Sequence, residues 1–291
     1  MNLKKKRVLI TGAASGIGFC LAEEFGRAGS KVVITDIAPD RLADAVKRLK
    51  TQGIRVHSRV ENVTKRPEVE ACIRWAINKL GGIDILINNA GIGHHSELEE
   101  TTIEDWRKLV EVNLFGPLYH IYALLPFMKK KGDGCIVNVS SGQKFFRLPT
   151  WGAYASIKAA LGTFSEILHF ELRKYNIRVT TVYPFMVNAP FYDKIKKKAD
   201  QTWGDRMSMK LLPYYSQTPQ KVARIIRKAV EHETKVEMVS FMNDVAFYAQ
   251  FIPFASDFIA MMSDLLLAKH ERSLPATRRE RMLAKEDRKK P

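Results

Sequence analysis

The segment WGAYASIK, residues 151–158, places a tyrosine four positions before a lysine. On a helix, side chains four residues apart lie on the same face, so Tyr154 and Lys158 would be neighbours. A phenol beside an ammonium can exchange a proton with an alcohol, because nearby positive charge favours the phenolate. Two ordinary surface side chains also occur at this spacing, and the pair alone does not separate the two interpretations.

A glycine-rich turn, TGAASGIG at residues 11–18, follows the first apolar segment of the chain. Gly12, Gly16 and Gly18 let a backbone approach a pyrophosphate, whose charge the N-terminus of the next predicted helix attracts. The spacing is not that of the GxGxxG fingerprint, but the mechanical requirement is the same. A purely structural turn is the weaker alternative, because strand, turn and helix come in the right order.

An acidic residue, Asp36, ends the second predicted strand. A carboxylate there can accept hydrogen bonds from both hydroxyls of an adenosine ribose, and it repels a 2′-phosphate. Ser15 stands where a turn that binds NADP would hold a base, and Ile37 is uncharged. We therefore expect NAD as the cofactor. The alternative is that Asp36 only begins a turn.

Apolar runs typical of buried strands alternate with helical periodicity along most of the chain. The predicted strands are 7–11, 31–36, 54–60, 84–91, 135–141, 177–184 and 235–241, and the predicted helices are 17–28, 41–50, 66–79, 102–130, 152–175 and 222–231. This order predicts an α/β fold, a Rossmann-type doubly wound parallel sheet of about seven strands with helices on both faces. Ligands bind such sheets beyond the carboxyl ends of the strands, where these motifs lie.

The ordered motifs resemble those of the short-chain dehydrogenase/reductase family over about residues 5–240. TGAASGIG is similar to its cofactor loop, and NNAG (88–91) to the motif that ends its fourth strand. Asn113 in VNLFG matches its catalytic asparagine, and Ser141, thirteen residues before Tyr154, matches its catalytic serine. Tyr154 and Lys158 match its YxxxK pair, so the resemblance favours the catalytic interpretation.

The resemblance implies a role for each matched residue. Tyr154 would exchange a proton with the substrate, its phenol pKa lowered by the Lys158 ammonium and the positive ring of oxidised nicotinamide. Lys158 would also hold the nicotinamide ribose, and Ser141 would hydrogen-bond the substrate oxygen. Asn113 would hold a water in a proton relay behind Lys158. The alternative for Asn113 is a helix amide that bonds only to backbone.

The cofactor is expected to contact a set of residues along the strand ends. They are Gly12, Ser15, Gly16, Ile17, Gly18, Asp36, Asn62, Val63, Asn89, Tyr154, Lys158 and Val187. Asn62 stands where the family usually has Asp, and its amide oxygen can still accept from adenine. The segment PFMVNA (184–189) departs from the family's PGxVxT, since Phe185 replaces the glycine and Ala189 the threonine that would contact the nicotinamide carboxamide. The backbone of Val187 is the expected substitute.

Apolar side chains flank the predicted reacting atom on two sides. They are Phe145, Phe146, Leu148 and Trp151 before Tyr154, and Tyr183, Phe185 and Met186 after the sixth strand. Such a wall suits a lipophilic alcohol or ketone, and we predict Phe146, Trp151 and Phe185 as substrate-binding residues. The alternative is that several of these rings belong to the core or to a subunit interface.

Cysteine usage and charge exclude several classes of protein. The three cysteines show no CxxC spacing, which argues against a disulfide framework or a metal site and fits a reducing compartment. The apolar run near the N-terminus is too short for a signal peptide, so we expect a cytoplasmic protein. The net charge is +16, but it comes without a nucleic-acid-binding motif, so we expect a solvated basic surface and no nucleic-acid partner.

The chain divides into a catalytic domain, 1–240, and a helical C-terminal extension, 241–291. Polar residues recur every seven positions on an otherwise apolar helix pair: Asn243, Gln250, Asp257 and Asp264. The tail 269–291 then holds nine Lys or Arg against four acidic residues. An apolar face beside positive charge suggests peripheral membrane contact. The alternative is that the helices pack on their own domain, roof the cleft or form a dimer contact.

The sequence thus predicts an NAD(H)-dependent oxidoreductase that interconverts a lipophilic secondary alcohol and a ketone. Steroid-like, retinoid-like and acyl-chain substrates all fit. The resemblance implies a homodimer or homotetramer built through the helices at 102–130 and 152–175. The alternative function is a catalytically silent nucleotide-binding sensor or membrane-associated interaction module, against which the four matched catalytic residues argue.

Overall fold

The computed structural model describes residues 1–146, 148–188, 216–249, 251–252 and 261. Seven short, mostly buried strands form one sheet. They are β1 (Arg7–Thr11), β2 (Lys31–Asp36), β3 (Val56–Val60), β4 (Ile85–Asn88), β5 (Gly134–Val139), β6 (Ile177–Tyr183) and β7 (Val236–Met238). Five of them are buried along all or nearly all of their length, as expected for strands covered on both faces.

Strand order in the sheet is β3-β2-β1-β4-β5-β6-β7, and every neighbouring pair is parallel. The order reverses between β1 and β4, which leaves a crevice at their carboxyl ends. In register, Thr11 pairs with Thr35, and Asn88 pairs with Asn138. The predicted Rossmann-type doubly wound sheet is confirmed.

Helices cover both faces of the sheet. They are α1 (Gly16–Arg27), α2 (Pro39–Thr51), α3 (Arg66–Leu80), α4 (Ile103–Val110), α5 (Gly116–Lys131), α6 (Gln143–Phe146), α7 (Gly152–Leu172), α8 (Pro219–Glu231) and α9 (Phe241–Ala249). Val8 and Ile10 of β1 pack toward α1, α2 and α8, whereas Leu9 between them packs toward α3, α5 and α7. The period of two along each strand therefore fills two separate cores.

The predicted helix at 102–130 is wrong as a single element. A π-helical turn, Glu111–Phe115, separates α4 from α5 and contains Asn113. Pro117, in the first turn of α5, has no N–H to donate back into the π-helical turn that precedes it. Single π-helical turns inside helices are frequently found at functional sites.

The first helix of the C-terminal extension, α9, packs on the domain. Asn243 is fully buried and donates from Nδ2 to the carbonyl oxygen of Tyr183, while Ala246 and Phe247 contact the rings below them. The other three polar positions of the predicted stripe lie outside the described residues. Among the helices that the structure does describe, none is long and apolar enough to cross a membrane.

Candidate active site

The Tyr154–Lys158 pair lies on α7, whose first turns meet the carboxyl end of β5. Both side chains are buried, at 6% and 4% exposure. The hydroxyl groups of Tyr154 and Ser141 are hydrogen-bonded, and Ser141 Oγ also accepts from the Gln143 N–H at 3.2 Å. Ser141 can therefore keep its own proton pointed at the phenolic oxygen. Ser141, Tyr154 and Lys158, three of the four predicted catalytic residues, are therefore buried close together at the end of β5.

Burial dominates the proton affinities of this pair. Desolvation raises the pKa of Tyr154 to about 12, and the hydrogen bond from Ser141 opposes it. Desolvation also lowers the pKa of Lys158 to about 8. In the chain alone, burial therefore outweighs the neighbouring hydroxyl, and the expected lowering of the Tyr154 pKa by Lys158 together with oxidised nicotinamide stays a prediction. Lys158 Nζ lies 6.0 Å from the centre of the Tyr154 ring and donates to the Val139 carbonyl oxygen at 2.9 Å.

Asn113 is held by a double hydrogen bond to one backbone residue. Its Oδ1 accepts from the Ile92 N–H at 3.1 Å, and its Nδ2 donates to the Ile92 carbonyl at 3.0 Å. A Cβ placed on Gly91 would lie 2.8 Å from Asn113 Oδ1 and 3.4 Å from Lys158 Nζ. The amide and the amine therefore flank the same glycine. The backbone pairing expected as the alternative is present, and the role in a proton relay stays a prediction.

A buried chain of polar side chains fixes α7 on the sheet. Asn88 donates to Asn138 at 2.8 Å, and Asn138 donates to Ser165 Oγ at 3.0 Å. Thr181 donates to the same Ser165 oxygen at 2.7 Å. This chain joins β4, β5 and β6 to the helix that carries Tyr154. Sequence reasoning missed it, because its members share no local pattern.

The glycine turn is packed against the end of β4. Gly12 has φ +63°, and a Cβ there would lie 2.6 Å from the Cα of Ala90. A Cβ on Gly18 would overlap the Gly12 carbonyl and lie 2.5 Å from Asn89 Nδ2. Asn89 Nδ2 donates to the carbonyls of Thr11 and Gly12 at 3.0 and 3.1 Å. Asn89 therefore holds the turn in place.

The N-terminus of α1 suits a pyrophosphate. Its N-cap, Ser15, makes no capping hydrogen bond through its side chain, and the first turn contains no acidic residue. The N–H groups of Gly16, Ile17 and Gly18 begin the helix, where such groups lack partners within the helix. Gly16 has φ +57°, a left-handed backbone conformation that favours glycine at this position of the turn. These features fit a bound anion.

Asp36 lies beside this turn and is nearly buried. Its Oδ2 accepts from the Ala14 N–H at 3.1 Å, and its Oδ1 accepts from the Ala38 N–H at 3.0 Å. Each carboxylate oxygen retains acceptor capacity for a ribose hydroxyl. Arg41, which sequence reasoning missed, lies 3.8 Å from Oδ1 and is mostly exposed. The sequence offers no positive charge at Ile37, but Arg41 places one near the Asp36 carboxylate.

Asn62, expected at the adenine site, is hydrogen-bonded within its own turn. Its Oδ1 accepts from the N–H and the hydroxyl of Thr64, at 3.0 and 2.9 Å. Its contact with adenine stays a prediction. Val63 packs against Gly116, the residue that directly follows the π-helical turn, since a Cβ on Gly116 would lie 3.1 Å from Val63 Cγ2.

Val187 is bridged to Gln217 in parallel, and its expected contact with the nicotinamide carboxamide stays a prediction. Met186 O accepts from the Gln217 N–H and Asn188 N–H donates to Gln217 O, each at 2.9 Å. In a parallel bridge these bonds flank Val187, so its own N–H and C=O face the opposite side. Met186 adopts φ +48°, an unusual conformation for a residue other than glycine. Ala189 lies outside the described residues.

Comparison with known proteins identifies the family. The sequence model of the short chain dehydrogenases matches residues 6–200. The chain belongs to the short-chain dehydrogenase family. The 3-oxoacyl-(acyl-carrier-protein) reductase of Thermotoga maritima is 34% identical over 226 residues, 78% of this chain and 90% of the relative. An uncharacterized oxidoreductase of Staphylococcus saprophyticus is 35% identical over 211 residues, 72% of this chain and 87% of the relative.

Solved structures of other short-chain dehydrogenases have the same fold. A 3-ketoacyl-(acyl-carrier-protein) reductase of Brucella melitensis, complexed with NADH, is 27% identical with a TM-score of 0.71, covering 81% of this chain and 96% of its own. A variant of the actinorhodin polyketide ketoreductase with NADPH is 26% identical with a TM-score of 0.76, covering 81% and 95%. Neighbours of this short-chain dehydrogenase thus bind either dinucleotide.

The predicted apolar wall of this short-chain dehydrogenase separates into two groups. Trp151 packs edge-on against Tyr154 at 5.7 Å between ring centres, and Phe146 stacks on Phe185 at 4.0 Å. That stacked pair belongs, together with Phe145 and Tyr183, to a separate buried cluster under α9, where Tyr183 is fully buried and donates to Glu166. Leu148 and Met186 pack with Trp151 and Tyr154, so these are the apolar side chains beside the phenol. The substrate-binding role of Phe146, Trp151 and Phe185 stays a prediction.

Proposed function

We propose that this short-chain dehydrogenase transfers a hydride between NAD(H) and a lipophilic secondary alcohol or ketone. The observation that carries the proposal is the buried, Ser141-bonded phenol of Tyr154, bordered by Trp151 and placed at the same sheet edge as the glycine turn. Steroid-like, retinoid-like and acyl-chain alcohols remain the candidate substrates. The acyl substrate in the printed name of the Thermotoga maritima relative supports the last of these.

Each residue of the site has a separate role in the proposed reaction. Ser141 donates a hydrogen bond that aligns the substrate oxygen, and Tyr154 gives that oxygen a proton or takes one from it. Lys158 remains largely cationic at neutral pH despite its lowered pKa of about 8, and its charge favours the phenolate. The bound dinucleotide would accept or donate the hydride and add the positive charge of its oxidised ring. Gly12, Gly18 and the first turn of α1 would hold its pyrophosphate, and Asp36 its ribose.

The substrate class is tested by turnover of a panel of secondary alcohols and ketones, read by NADH absorbance. The panel pairs each hydrophobic compound with a short polar analogue. We expect kcat/KM to rise with the apolar surface of the compound, because the side chains that pack beside Tyr154 are apolar. A preference for the polar analogues would contradict the lipophilic assignment. Absence of turnover on the whole panel, with dinucleotide bound, would favour the nucleotide-binding sensor.

The preference for NAD is expected to depend on Asp36. Asp36→Ala should lower kcat/KM for NAD by about tenfold and raise it for NADP, because it removes two acceptors and a negative charge near Arg41. Asp36→Asn is the matched control, since it removes the charge but keeps one acceptor for the Ala14 or Ala38 N–H. Initial rates with both dinucleotides measure the effect. An unchanged preference in Asp36→Ala would show that the carboxylate does not select the cofactor.

We also propose that α9 contacts an anionic lipid surface. Its outer face leaves Phe241, Val245 and Tyr248 exposed, at 79%, 43% and 66%, and Ile252, three residues after the helix ends, is 59% exposed. The three helical positions lie about one turn apart, so they form one apolar stripe opposite the buried Asn243. The basic sequence of 269–291 follows closely in the chain, and positive charge beside an apolar helix face suits anionic headgroups. Cytoplasmic localisation, with this contact peripheral, stays a prediction.

Sedimentation of the full-length protein with lipid vesicles tests this surface. We expect binding to phosphatidylglycerol-containing vesicles that weakens with salt, and loss of about tenfold in the triple variant Phe241→Ser, Tyr248→Ser, Ile252→Ser. The matched control is Leu98→Ser with Ile103→Ser, which removes comparably exposed apolar side chains elsewhere. Equal sedimentation of both variants would exclude the lipid contact. A changed oligomeric state in the triple variant would assign the stripe to a second copy of the chain.

A homodimer or homotetramer is proposed through α5 and α7. Both helices carry exposed large apolar side chains: Tyr122 and Phe127 on α5, Ile167 and Phe170 on α7. Single exposed apolar residues are ordinary, but four on two helices on the same face of the sheet favour an interface. Light scattering of the purified protein measures the state, and a monomer would refute the proposal.

A further inference from the structure

Two ionisable side chains, Glu61 and His120, are buried outside the proposed reaction centre. His120 has no exposed surface and Glu61 has 1%. His120 Nε2 lies 3.2 Å from Glu61 Oε1 and 3.3 Å from Oε2, and its Nδ1 lies 2.8 Å from the Gly116 carbonyl oxygen. Charged groups are rarely buried so fully unless they are paired.

The partners of His120 determine where its protons lie. A carbonyl oxygen only accepts, so Nδ1 carries a proton and donates it to Gly116. Nε2 faces a carboxylate, and a second proton lies between the two groups. Burial opposes both charges, but mutual attraction outweighs it, holding the pKa of His120 above its usual value and that of Glu61 below. The Cys72 thiol adds a hydrogen bond to the same carboxylate.

The pair joins two parts of the site that are distant in sequence. Glu61 directly precedes Asn62 and Val63, and its N–H donates to the Asp36 carbonyl at 3.0 Å. On the other side, Gly116 directly follows the π-helical turn of Asn113. Val63 contacts Gly116 at the same junction. The segments expected to hold adenosine and the turn that holds Asn113 therefore meet around this pair.

We propose that Glu61 and His120 are positioning residues that fix the adenosine-side loop against the turn carrying Asn113. The pair acts through its neighbours: Glu61 places Asn62 and Val63, and His120 places Gly116. Binding of the adenosine half and placement of the Asn113 amide then depend on one buried contact. The proposal rests on the proposed dinucleotide site.

Three variants separate this role from a purely structural one. Glu61→Gln can donate from its amide to Nε2 of a neutral His120, which keeps its Nδ1 proton on Gly116, so both hydrogen bonds survive. Glu61→Leu leaves Nε2 unpaired, and we expect KM for NAD to rise about tenfold and kcat to fall about fivefold. The double variant Glu61→Leu, His120→Leu buries no charge and should recover stability, since apolar replacement of a buried pair is often neutral. It should not recover KM or kcat.

The readouts are thermal unfolding, NAD affinity by calorimetry, kcat, and hydrogen exchange of residues 111–116. Near-parent affinity and rate in Glu61→Gln, with losses in both leucine variants, supports the proposal. A double variant that recovers NAD affinity and kcat together with stability overturns it, as does a Glu61→Leu variant that loses only stability. If the parent binds no dinucleotide, the proposed function fails instead. In that case hydrogen exchange alone tests the positioning role. Unchanged protection of residues 111–116 in the leucine variants would overturn it.

Discussion

Tyr154→Phe is expected to lower kcat by about 10²- to 10⁴-fold, the usual contribution of a positioned proton donor or acceptor. The substitution removes one oxygen, the partner of the Ser141 hydroxyl, and leaves the ring packed on Trp151. Affinity for the dinucleotide should change little, because the phenol is neutral in the chain alone, with its pKa raised to about 12. Single-turnover rates and calorimetric binding measure the two effects separately.

The matched control for this substitution is Tyr183→Phe. Tyr183 is also a buried tyrosine with a hydrogen-bonded hydroxyl, but it donates to Glu166 in the core rather than to Ser141. We expect it to lose about 1 kcal/mol of stability and to keep its kcat. Two variants with equally reduced turnover would mean that loss of a buried hydroxyl, and not loss of the proton donor, lowers the rate.

What the sequence predicts well is set by short-range geometry. The spacing of Tyr154 and Lys158 places them on one face of any helix, and parallel strands bring Asp36 and the glycine turn to one edge of any doubly wound sheet. These relations do not depend on how the rest of the molecule packs. The parallel, doubly wound arrangement of the sheet is predictable too, because strands that alternate with crossover helices leave few topologies.

What the sequence does not reveal depends on tertiary contacts. The π-helical turn exists where the Asn113 amide pairs with Ile92, twenty-one residues away, and nothing in the local periodicity marks it except the Gly-Pro that follows. Tyr183 belongs to the core because α9 covers it, and Glu61 and His120 are fifty-nine residues apart. The direction of the Tyr154 pKa depends on burial, which a charge count along the sequence does not contain.

Lys158→Met is expected to stabilise the protein while abolishing turnover. Desolvation lowers the pKa of Lys158 to about 8 in the folded chain, from an ordinary 10.5. The unfolded state therefore binds the proton more tightly, and the difference opposes folding by about 3 kcal/mol at neutral pH. Lys158→Met also loses the hydrogen bond to the Val139 carbonyl, which lowers the free energy of unfolding by about 1 kcal/mol. We therefore expect the variant to be about 2 kcal/mol more stable than the parent at neutral pH.

The pH dependence of that gain identifies its cause. Between about pH 8 and 10.5, Lys158 is protonated in the unfolded state but largely deprotonated in the folded state, so the free energy of unfolding of the parent rises with pH. Lys158→Met has no such group and lacks this rise. Urea unfolding of both proteins without dinucleotide should therefore show curves that converge as pH rises. Lys221→Met, at an exposed lysine of α8, is the control and should stay within about 0.5 kcal/mol of the parent. A Lys158→Met protein less stable than its parent at pH 7, with no convergence at high pH, would show that the ammonium is not destabilised by burial. A gain with lost turnover would mean that this residue is retained for chemistry at the expense of stability, as is common at active sites.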